Sequence, residues 1–418
     1  MSLLLKNCTT RDTDSSAEQS INAILIQEDK IVSTDYTGNA DQEIDLSGKL
    51  LVPGLFDLWS DFCDPGQENK EDVLSGLSAA RAGGYTDVSV VPDTEPRIDS
   101  KGQVVYLKNR SSNVFINLHP IASVYPSGSE SQISEMRDLS AAGAVAFSSG
   151  KSSISSAELL LKSLQYAASF GGVIFDRPSD HELSKYGHMH EGMVSTTLGL
   201  RGIPAIAEII AVERDLRVLE YAGGRLHLTG ISSAGSLDLI AKAKSEGLKV
   251  TCDVSINNLI YTDSSVEDYD TNFKLDPPVR SEADRKALIA GLKNGVIDAI
   301  TSYHYPQDTE SKQLEFDLAN DGMIGLQTML PLLLSLSDEV DINLLLDKVS
   351  NGPRRILGLQ EVSLSSGSEA RFTVIDTTQQ WVFDASSNKS RAVNSNLYGS
   401  LLSGCADAII VGEQYIKL

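Results

Sequence analysis

Apolar strands and helical stretches alternate eight times along this 418-residue chain, and this repetition limits the fold more than any other feature. The predicted strand and helix ranges are, in order, 51–58 and 68–82, 85–91 and 100–110, 114–121 and 130–141, 144–147 and 155–170, 172–175 and 203–221, 225–228 and 234–246, 249–254 and 282–294, and 296–301 and 322–336. Eight successive strand–helix units are the pattern of a (β/α)8 barrel, whose parallel strands form a wall surrounded by helices. The sequence therefore predicts an α/β fold of the TIM-barrel type.

Glycine pairs follow three of the predicted helices, at Gly83–Gly84, Gly171–Gly172 and Gly223–Gly224. A helix that ends just before a strand often needs a residue in the left-handed conformation, which glycine adopts without steric cost. These glycines are therefore predicted to be turn residues rather than parts of a phosphate-binding loop.

Both ends of the chain have a different pattern, with short apolar runs separated by polar turns. These runs are 21–26 and 30–33 near the N-terminus, and 371–376, 380–383 and 408–416 after residue 358. Runs of this kind are typical of short β-strands. We therefore expect residues 1–51 and 359–418 to form one composite small β-sandwich domain beside a barrel of residues 52–358.

The chain is acidic, with 57 Asp and Glu residues against 35 Lys and Arg residues and a formal net charge of −22. Such a charge repels nucleic acid and anionic membranes, so we expect the partners to be small molecules or other proteins. The lack of a long apolar run and of a secretory signal pattern predicts a cytoplasmic protein without a membrane span. The cysteines form no C-x-x-C pair and are expected to be free thiols; they are Cys8, Cys63, Cys252 and Cys405.

Several long stretches resemble dihydroorotases of the long, multifunctional-complex type, which belong to the amidohydrolase superfamily. The first runs from Leu51 to Pro96 and includes LVPGLFDLWSDFCDPG. Further matching stretches lie at 192–208 (GMVSTTLGLRGIPAIAE), 225–251, 276–307, 325–334 and 394–399 (NSNLYG). Because these matches cover essentially the whole chain in order, the resemblance implies a barrel of the metallo-dependent hydrolase type.

In that family, as the resemblance implies, zinc at the C-terminal mouth of the barrel supports reversible ring closure of carbamoyl aspartate to dihydroorotate. The metal is needed because it lowers the pKa of its bound water toward about 7 and also polarises the amide carbonyl. A working member of the family therefore needs several lone-pair donors around the rim of the barrel.

The positions that the family's pattern assigns to the metal carry different residues in this chain. By alignment they are Trp59, Asp61, Ser149, Arg177, Gly230 and Tyr303, the last at the position of the family's proton-transfer base. The Trp59 indole has no lone pair for zinc, and the Arg177 guanidinium places a positive charge where a dication belongs. Only Asp61 keeps a metal-binding side chain, and one isolated carboxylate does not hold zinc usefully.

The residues that grip the substrate carboxylate in the family are replaced as well. The family's Arg, Asn and His at these positions align with Cys63, Asp93 and Gln307. Asp93 brings a negative charge toward an anionic substrate, and Cys63 lacks the charge-assisted contact of an arginine, worth about 1.5–3 kcal/mol. The resemblance therefore implies a chain without the family's substrate contacts.

Other ionisable residues near the predicted mouth have competing interpretations. His188 and His190 form a His-x-His pair, which suits a metal, but their segment resembles a family loop without ligands. His304 is interpreted either as a general acid or base or, as we favour, as a packed residue at a strand end. Asp57 and Asp64 are expected to be structural.

The alignment also predicts how the former metal site is filled. Asp61 and Arg177 are expected to form an ion pair across the mouth of the barrel. The bulk of Trp59, Tyr303 and Tyr305 predicts that the mouth is plugged rather than open.

Our main hypothesis is a pseudoenzyme without a cofactor, acting as a structural or regulatory subunit in pyrimidine biosynthesis. It is expected to form homo-oligomers or to assemble with aspartate carbamoyltransferase, as some dihydroorotase-like proteins without the zinc residues do. The alternative is an active zinc-dependent dihydroorotase or other cyclic-amide hydrolase. Its metal would be held by an atypical set drawn from Asp61, His188, His190 and His304. A third interpretation is a sensor that binds a ligand without turnover.

Overall fold

The computed structural model describes residues 2–10, 19–111, 114–129 and 131–418. Residues 1 and 11–18 of the predicted small domain lie outside the described residues, as does residue 130, where the third barrel helix was predicted to start. The first five strands are β1 (Ser2–Thr10), β2 (Gln19–Gln27), β3 (Lys30–Ser33), β4 (Gln42–Asp45) and β5 (Leu50–Pro53). Strand β1 pairs with β2 in the antiparallel sense and with β4 and β5 in the parallel sense.

Eight parallel strands form the barrel, and a separate two-stranded ribbon follows its fifth strand. The first five barrel strands are β6 (Leu55–Ser60), β7 (Tyr85–Val90), β8 (Asn117–Ser123), β9 (Ala146–Ser148) and β10 (Ile174–Asp176). The ribbon consists of β11 (Met189–His190) and β12 (Gly202–Ile203). The last three barrel strands are β13 (Leu226–Leu228), β14 (Val250–Ser255) and β15 (Ala299–Thr301). Neighbouring barrel strands pair from β6 to β15, and a parallel bridge between Ser60 and His304 joins the last strand to the first. The predicted (β/α)8 barrel is confirmed.

Helices surround the barrel strands. They are α1 (Val73–Ala82), α2 (Lys101–Arg110), α3 (Met136–Ala142), α4 (Ala157–Ala168), α5 (His181–Ser184), α6 (Met193–Leu198), α7 (Ala205–Ala222), α8 (Ala234–Ser245), α9 (Ile256–Ile260), α10 (Glu282–Lys293), α11 (Thr309–Lys312), α12 (Met329–Ser335), α13 (Ile342–Lys348) and α14 (Asn351–Leu357). The predicted helices therefore exist, although three of them, α1, α3 and α12, begin at least five residues later than expected.

Helix α1 begins at Val73 rather than at residue 68, because Asp72 caps it. The Asp72 carboxylate accepts hydrogen bonds of 2.9 Å from the backbone N–H groups of Leu74 and Ser75, which have no partner inside the helix. Helix α12 begins at Met329 rather than at residue 322. Within the predicted helix range, Met323 forms a parallel bridge with His304 at the end of the barrel, and residues 326–328 form a turn.

Three C-terminal strands complete the small sheet: β16 (Arg371–Val382), β17 (Leu401–Val411) and β18 (Gln414–Lys417). They pair in antiparallel fashion, and β16 also pairs with β5, which joins the two ends of the chain in one mixed sheet of eight strands. The runs predicted at 371–376 and 380–383 are one strand with an irregularity between Asp376 and Gln380. The predicted small β domain is confirmed, while its bounds stay a prediction.

The N-terminal end of the barrel, which we call the base, is closed by a buried ionic cluster around Asp87 on β7. The Asp87 carboxylate accepts a 2.5 Å hydrogen bond from Arg354 of α14 and lies 2.9 Å from the Nε2 atom of His119. Arg354 also donates to the carbonyl of Gly54, just before β6. Although burial opposes charge, Arg354 and His119 hold the pKa of Asp87 below its usual range.

Within the described residues, no helix is both long and apolar enough to cross a membrane. The four cysteine thiols are free, as predicted. Burial raises the pKa of Cys63 and Cys252 well above that of an exposed thiol, so neither is a ready nucleophile.

Candidate functional site

A cavity of about 780 Å³ lies above the C-terminal ends of the barrel strands. Its walls come from the loops that follow β9, β10 and β14, and they include Lys151, Arg177, Asp276 and Arg280. Loops at this end of a TIM barrel carry the functional residues in enzymes of this fold. We call this cavity and the strand ends beneath it the mouth.

Three aromatic side chains fill the bore of the barrel below the cavity. The Trp59 Nε1–H group donates a 2.6 Å hydrogen bond to the Tyr305 hydroxyl, and the Trp59 ring stacks with Tyr303 and Phe175 at centroid distances of 6.3 Å. Trp59 is fully buried, and Tyr303 and Tyr305 are 5% exposed. The predicted aromatic plug is confirmed for the bore, and the cavity remains open above it.

Asp61 forms an ion pair with Lys151, a residue that the sequence analysis did not single out. The Lys151 ammonium also lies 4.4 Å from the centre of the Tyr305 ring, and the Lys151 backbone N–H donates a 2.8 Å hydrogen bond to Asp93. Burial opposes the charge of Lys151, but Asp61 and Asp93 outweigh it and raise the pKa of the amine above its usual value. The mouth therefore contains a fixed positive charge beside the one carboxylate among the aligned metal positions.

Arg177 pairs with Asp276 from the loop after β14, not with Asp61. The predicted Asp61–Arg177 ion pair is therefore wrong. Each of the two residues meets a closer opposite charge on a neighbouring loop, and the guanidinium keeps one buried nitrogen, Nε, without a hydrogen-bond partner.

The other aligned metal positions are occupied by local structural contacts. The Ser149 hydroxyl donates a 2.6 Å hydrogen bond to the carbonyl of Ser152. Gly230 has a φ of 69°, and a Cβ atom there would lie 2.1 Å from the Tyr303 hydroxyl. That hydroxyl is 3.3 Å from the Thr229 hydroxyl, and burial raises the pKa of Tyr303 well above its usual value. A phenol held protonated in this way is a poor substitute for a carboxylate base.

The aligned substrate positions lie around the same mouth, but they are committed to protein contacts. The Cys63 backbone N–H donates to Asp61 at 2.8 Å, and the Gln307 amide donates to the carbonyl of Asp321 at 2.7 Å. Burial raises the pKa of Asp93, although Lys151 and Arg97 oppose the shift. None of these three side chains offers a cation to a substrate carboxylate.

The histidines near the mouth are dispersed among separate partners. His304 lies 3.5 Å from the Glu71 carboxylate and accepts a hydrogen bond from the Gly325 backbone, so it packs at a strand end as we favoured. His190 lies 3.4 Å from a nitrogen of Arg280, and burial together with this cation lowers its pKa. His188 begins the two-stranded ribbon segment, where burial also lowers its pKa. The set proposed as an atypical metal site is not brought together.

Asp57 and Asp64 have structural partners, as predicted. Asp57 accepts hydrogen bonds from the backbone and the hydroxyl of Ser302 at 2.7 and 2.9 Å, and burial raises its pKa to about 6. Asp64 accepts hydrogen bonds from the Val73 backbone and the Tyr106 hydroxyl. Both carboxylates therefore hold neighbouring segments near the mouth in place through hydrogen bonds.

The residues at the mouth do not fit a catalytic zinc ion. Among the described residues, no three His, Cys, Asp or Glu side chains are grouped so that they could hold a metal. Trp59 offers no lone pair, and Lys151 and Arg177 place two cations beside the positions of the family's ligands. A dication would have to displace both cations from their carboxylate partners before it could bind there.

Comparison with known proteins places the chain in one family along its entire length. A family model described as dihydro-orotase-like matches residues 48–236. A dihydroorotase from Trichlorobacter lovleyi is 37% identical over 423 aligned positions, covering 100% of this chain and 99% of the relative. One from Pelotomaculum thermopropionicum is 36% identical and covers 100% and 98%.

Solved structures agree with the barrel and its accompanying sheet. The L-hydantoinase (dihydropyrimidinase) from Arthrobacter aurescens has a TM-score of 0.87 at 24% identity, covering 99% of this chain and 95% of that one. A D-hydantoinase (dihydropyrimidinase) from Thermus sp. has a TM-score of 0.81 at 19% identity, covering 100% and 97%. At these identities the likeness supports the fold alone. The full-length match to the dihydroorotases carries the assignment: this chain belongs to the dihydroorotase-like family.

Proposed function

We propose that this chain is a catalytically silent member of its family that acts as a structural or regulatory subunit in pyrimidine biosynthesis. The observation that carries the proposal is the ion pair between Asp61 and Lys151. Asp61 is the one aligned metal position that keeps a metal-binding side chain, and its charge is already neutralised by an ammonium group. A carboxylate held in this way is not available to a dication.

The bore supports the same proposal independently of the ion pair. The Trp59 ring occupies space at the first aligned metal position, and its hydrogen bond to Tyr305 fixes it there. Hydroxide generation at neutral pH depends on a metal-bound water, which needs open coordination positions. A packed indole leaves no room for that water at this position.

Substrate recognition is weakened for a separate electrostatic reason. Carbamoyl aspartate and dihydroorotate are anions, and Asp93 places a carboxyl group, which offers no positive charge, at an aligned substrate position. At a second such position, Cys63 is a buried neutral thiol because burial raises its pKa. These two aligned positions therefore lack the charge-assisted contacts that hold a carboxylate in place.

The direct test measures metal content and turnover on the same preparation. We expect protein purified without chelators to contain well under one equivalent of zinc and to show no conversion of carbamoyl aspartate or dihydroorotate in either direction. The dihydroorotase from Trichlorobacter lovleyi, prepared in the same way, serves as the positive control. One equivalent of zinc together with turnover would refute the proposal.

The proposed protein partner is aspartate carbamoyltransferase, and this part rests on the family resemblance. Mixing the two proteins of the same organism at micromolar concentration should produce a complex that elutes earlier in size-exclusion chromatography than either component. Bovine serum albumin in place of the carbamoyltransferase controls for nonspecific association of this acidic chain. Two unshifted peaks would remove that partner from the proposal.

A second candidate function is an active hydrolase of cyclic amides, favoured by the full-length relatives that are named dihydroorotases. Its zinc would need an atypical ligand set, and the dispersed positions of Asp61, His190 and His304 count against one. The metal and turnover measurement separates the two candidates, since only the hydrolase predicts both signals.

A further inference from the structure

Three basic side chains line the cavity at the mouth around the loop of residues 149–156, which follows β9. They are Lys151 in the loop itself, Arg177 and Arg214. Arg214 donates hydrogen bonds to the Ser153 hydroxyl and to the Ser155 carbonyl, at 3.4 and 3.2 Å. The residue before Arg177, Asp176, accepts a 3.1 Å hydrogen bond from the Ser153 hydroxyl. Both arginines are therefore held beside the same loop as the lysine.

The carboxylates that hold two of these cations are buried and do not line the cavity. Lys151 pairs with Asp61, and the Arg214 guanidinium lies 2.7 Å from Asp215 and 3.6 Å from Asp176. All three carboxylates are at most 2% exposed. Each of the two basic groups is therefore fixed from the protein side, while its side chain still lines the cavity. A cation held in place in this way is preorganised to bind an anion.

The third cation, Arg177, is incompletely satisfied. Its partner Asp276 has a side chain that is 34% exposed and also lines the cavity. The Nε atom of Arg177 is buried and has no hydrogen-bond partner among the described residues. A buried guanidinium with an unsatisfied N–H group has lost hydration without a full replacement. A further acceptor oxygen at this arginine therefore stabilises it.

Hydroxyl groups of the loop add neutral hydrogen-bond donors beside the three cations. Ser152, Ser153 and Ser155 line the cavity, and two of them, Ser152 and Ser155, are exposed. We call these serines, together with the three basic residues, the cationic wall. The three aligned substrate positions are not among the residues that line this cavity. The cationic wall is therefore separate from the place where the family's pattern puts the substrate carboxylate.

We infer that the cationic wall binds the phosphoryl group of a small phosphate, either the free ion or an organic monoester. A phosphoryl group carries a charge of about −1.5 to −2 near neutral pH and presents three acceptor oxygens, so three cations and nearby hydroxyls suit it. A carboxylate carries one charge and is satisfied by a single guanidinium. The volume of about 780 Å³ is typical of small-molecule sites and leaves room for an organic group beside the phosphate.

Acidic groups limit the affinity of this site. Asp276 lies beside Arg177 and competes with an incoming anion for that guanidinium. The net charge of −22 also repels anions at long range. We therefore expect a dissociation constant of about 0.1–1 mM at low salt, which rises as added salt screens the charges. The inference goes beyond the proposed silent subunit and does not depend on it, because phosphate binding needs neither zinc nor turnover.

The test is isothermal titration calorimetry of the full-length protein at neutral pH and low salt. The probes are inorganic phosphate, glycerol 3-phosphate, succinate and uncharged glycerol. We expect both phosphates to bind, glycerol to give no signal, and succinate to bind at least about fivefold more weakly than the better phosphate. Tighter binding of glycerol 3-phosphate assigns the site to an organic monoester, whereas tighter binding of inorganic phosphate assigns it to the free ion.

Two variants of the cationic wall should change the affinity in opposite directions. Lys151→Met removes a cation and should weaken phosphate binding about tenfold. Asp276→Asn removes the competing carboxylate and should tighten phosphate binding several-fold. The matched control is Lys162→Met, at an exposed lysine of α4 that does not line this cavity, and it should leave the affinity unchanged. Partial unfolding cannot produce this pattern, since it would weaken binding in every variant.

Three results would overturn the inference. The first is no binding of either phosphate at millimolar concentration, and the second is succinate binding as tightly as phosphate. The third is equal phosphate affinity in the wild type, Lys151→Met and Asp276→Asn. A zinc-containing, active preparation that still binds phosphate through Lys151 would refute the proposed function and support this inference, so the two can fail separately.

Discussion

The two ends of the barrel both contain buried charges, but they use them differently. At the base, Asp87 lies within hydrogen-bonding distance of Arg354, His119 and Asn117, and its pKa is held low by these partners. At the mouth, Asp93 has a raised pKa and Arg177 keeps an unpartnered nitrogen beside a cavity of about 780 Å³. Asp87 at the base thus has several hydrogen-bond partners, whereas Arg177 at the mouth has a buried nitrogen without one.

This difference separates the structural end of the barrel from the functional end. A buried ion pair whose hydrogen bonds are all satisfied is costly to break, because either partner alone is left charged in a nonpolar setting. Ion pairs at the rim of a cavity keep part of their hydration and contribute less to the stability of the folded protein. We therefore expect replacement of mouth residues to destabilise the fold less than replacement of base residues.

The largest expected effect is at the base. Arg354→Met leaves Asp87 without its main counter-charge and should lower the free energy of unfolding by about 3–5 kcal/mol. Urea denaturation followed by circular dichroism measures this loss. The matched control is Arg355→Met, since Arg355 is an adjacent, 43% exposed arginine paired at the surface, and it should cost under about 1 kcal/mol. Equal losses of unfolding free energy in the two variants would contradict the proposed difference between the buried ion pairs of the base and exposed ion pairs.

The aromatic plug should show the next largest effect. Trp59→Phe leaves a small void and removes the hydrogen bond to Tyr305, which together should cost about 2 kcal/mol. Trp381→Phe in the small sheet, where the indole bonds to the Gly404 carbonyl and is only partly buried, is the control and should cost less. A Trp59→Phe variant as stable as the wild type would mean that the bore is not packed as core.

Asp57 near the mouth should give a pH signature that Asp87 does not. Burial raises the pKa of Asp57 from 3.8 to about 6. The contribution of Asp57 to stability is therefore complete at a pH below its pKa in the unfolded chain, and it is lost as the pH rises through about 6. The stability of wild type relative to Asp57→Asn should therefore be about 1–2 kcal/mol greater near about pH 5 than near about pH 7.5. Urea midpoints at both pH values test this, and a difference independent of pH would contradict it.

The smallest effect is expected for the ion pair of the mouth. Lys151→Met removes the partner of Asp61, but the lysine side chain is 35% exposed and the expected cost is about 1 kcal/mol or less. Its control is Lys162→Met, at an exposed pair on α4. A loss of unfolding free energy as large as that of Arg354→Met would show that the ion pair of the mouth stabilises the fold as much as the ion pair of the base.

The barrel was predictable because its signal is periodic and local. Eight apolar runs separated by helices predict a (β/α)8 barrel, whatever the conformations of the loops. The positions at which helices begin were less predictable, since they depend on tertiary contacts. The late start of α12 follows from the pairing of Met323 with His304, two residues whose approach no local pattern reveals.

The candidate site was predictable in position but not in its pairing. Alignment identified Asp61 and Arg177, yet their actual partners, Lys151 and Asp276, come from loops whose paths the sequence does not encode locally. Lys151 follows the Ser148–Gly150 stretch directly, at the C-terminal end of a barrel strand. That placement alone was a usable signal, because side chains just after the strands of a TIM barrel point into the mouth.

The fit between Gly230 and Tyr303 imposes an order on any attempt to place a metal ligand at position 230. A side chain at position 230 would overlap the phenol, which already occupies the space of its Cβ atom, and would also be strained by the positive φ angle. Tyr303 must therefore become smaller before position 230 can carry a ligand side chain. A substitution at position 230 alone therefore meets a steric barrier, and only a chain already altered at position 303 can accept a larger residue there.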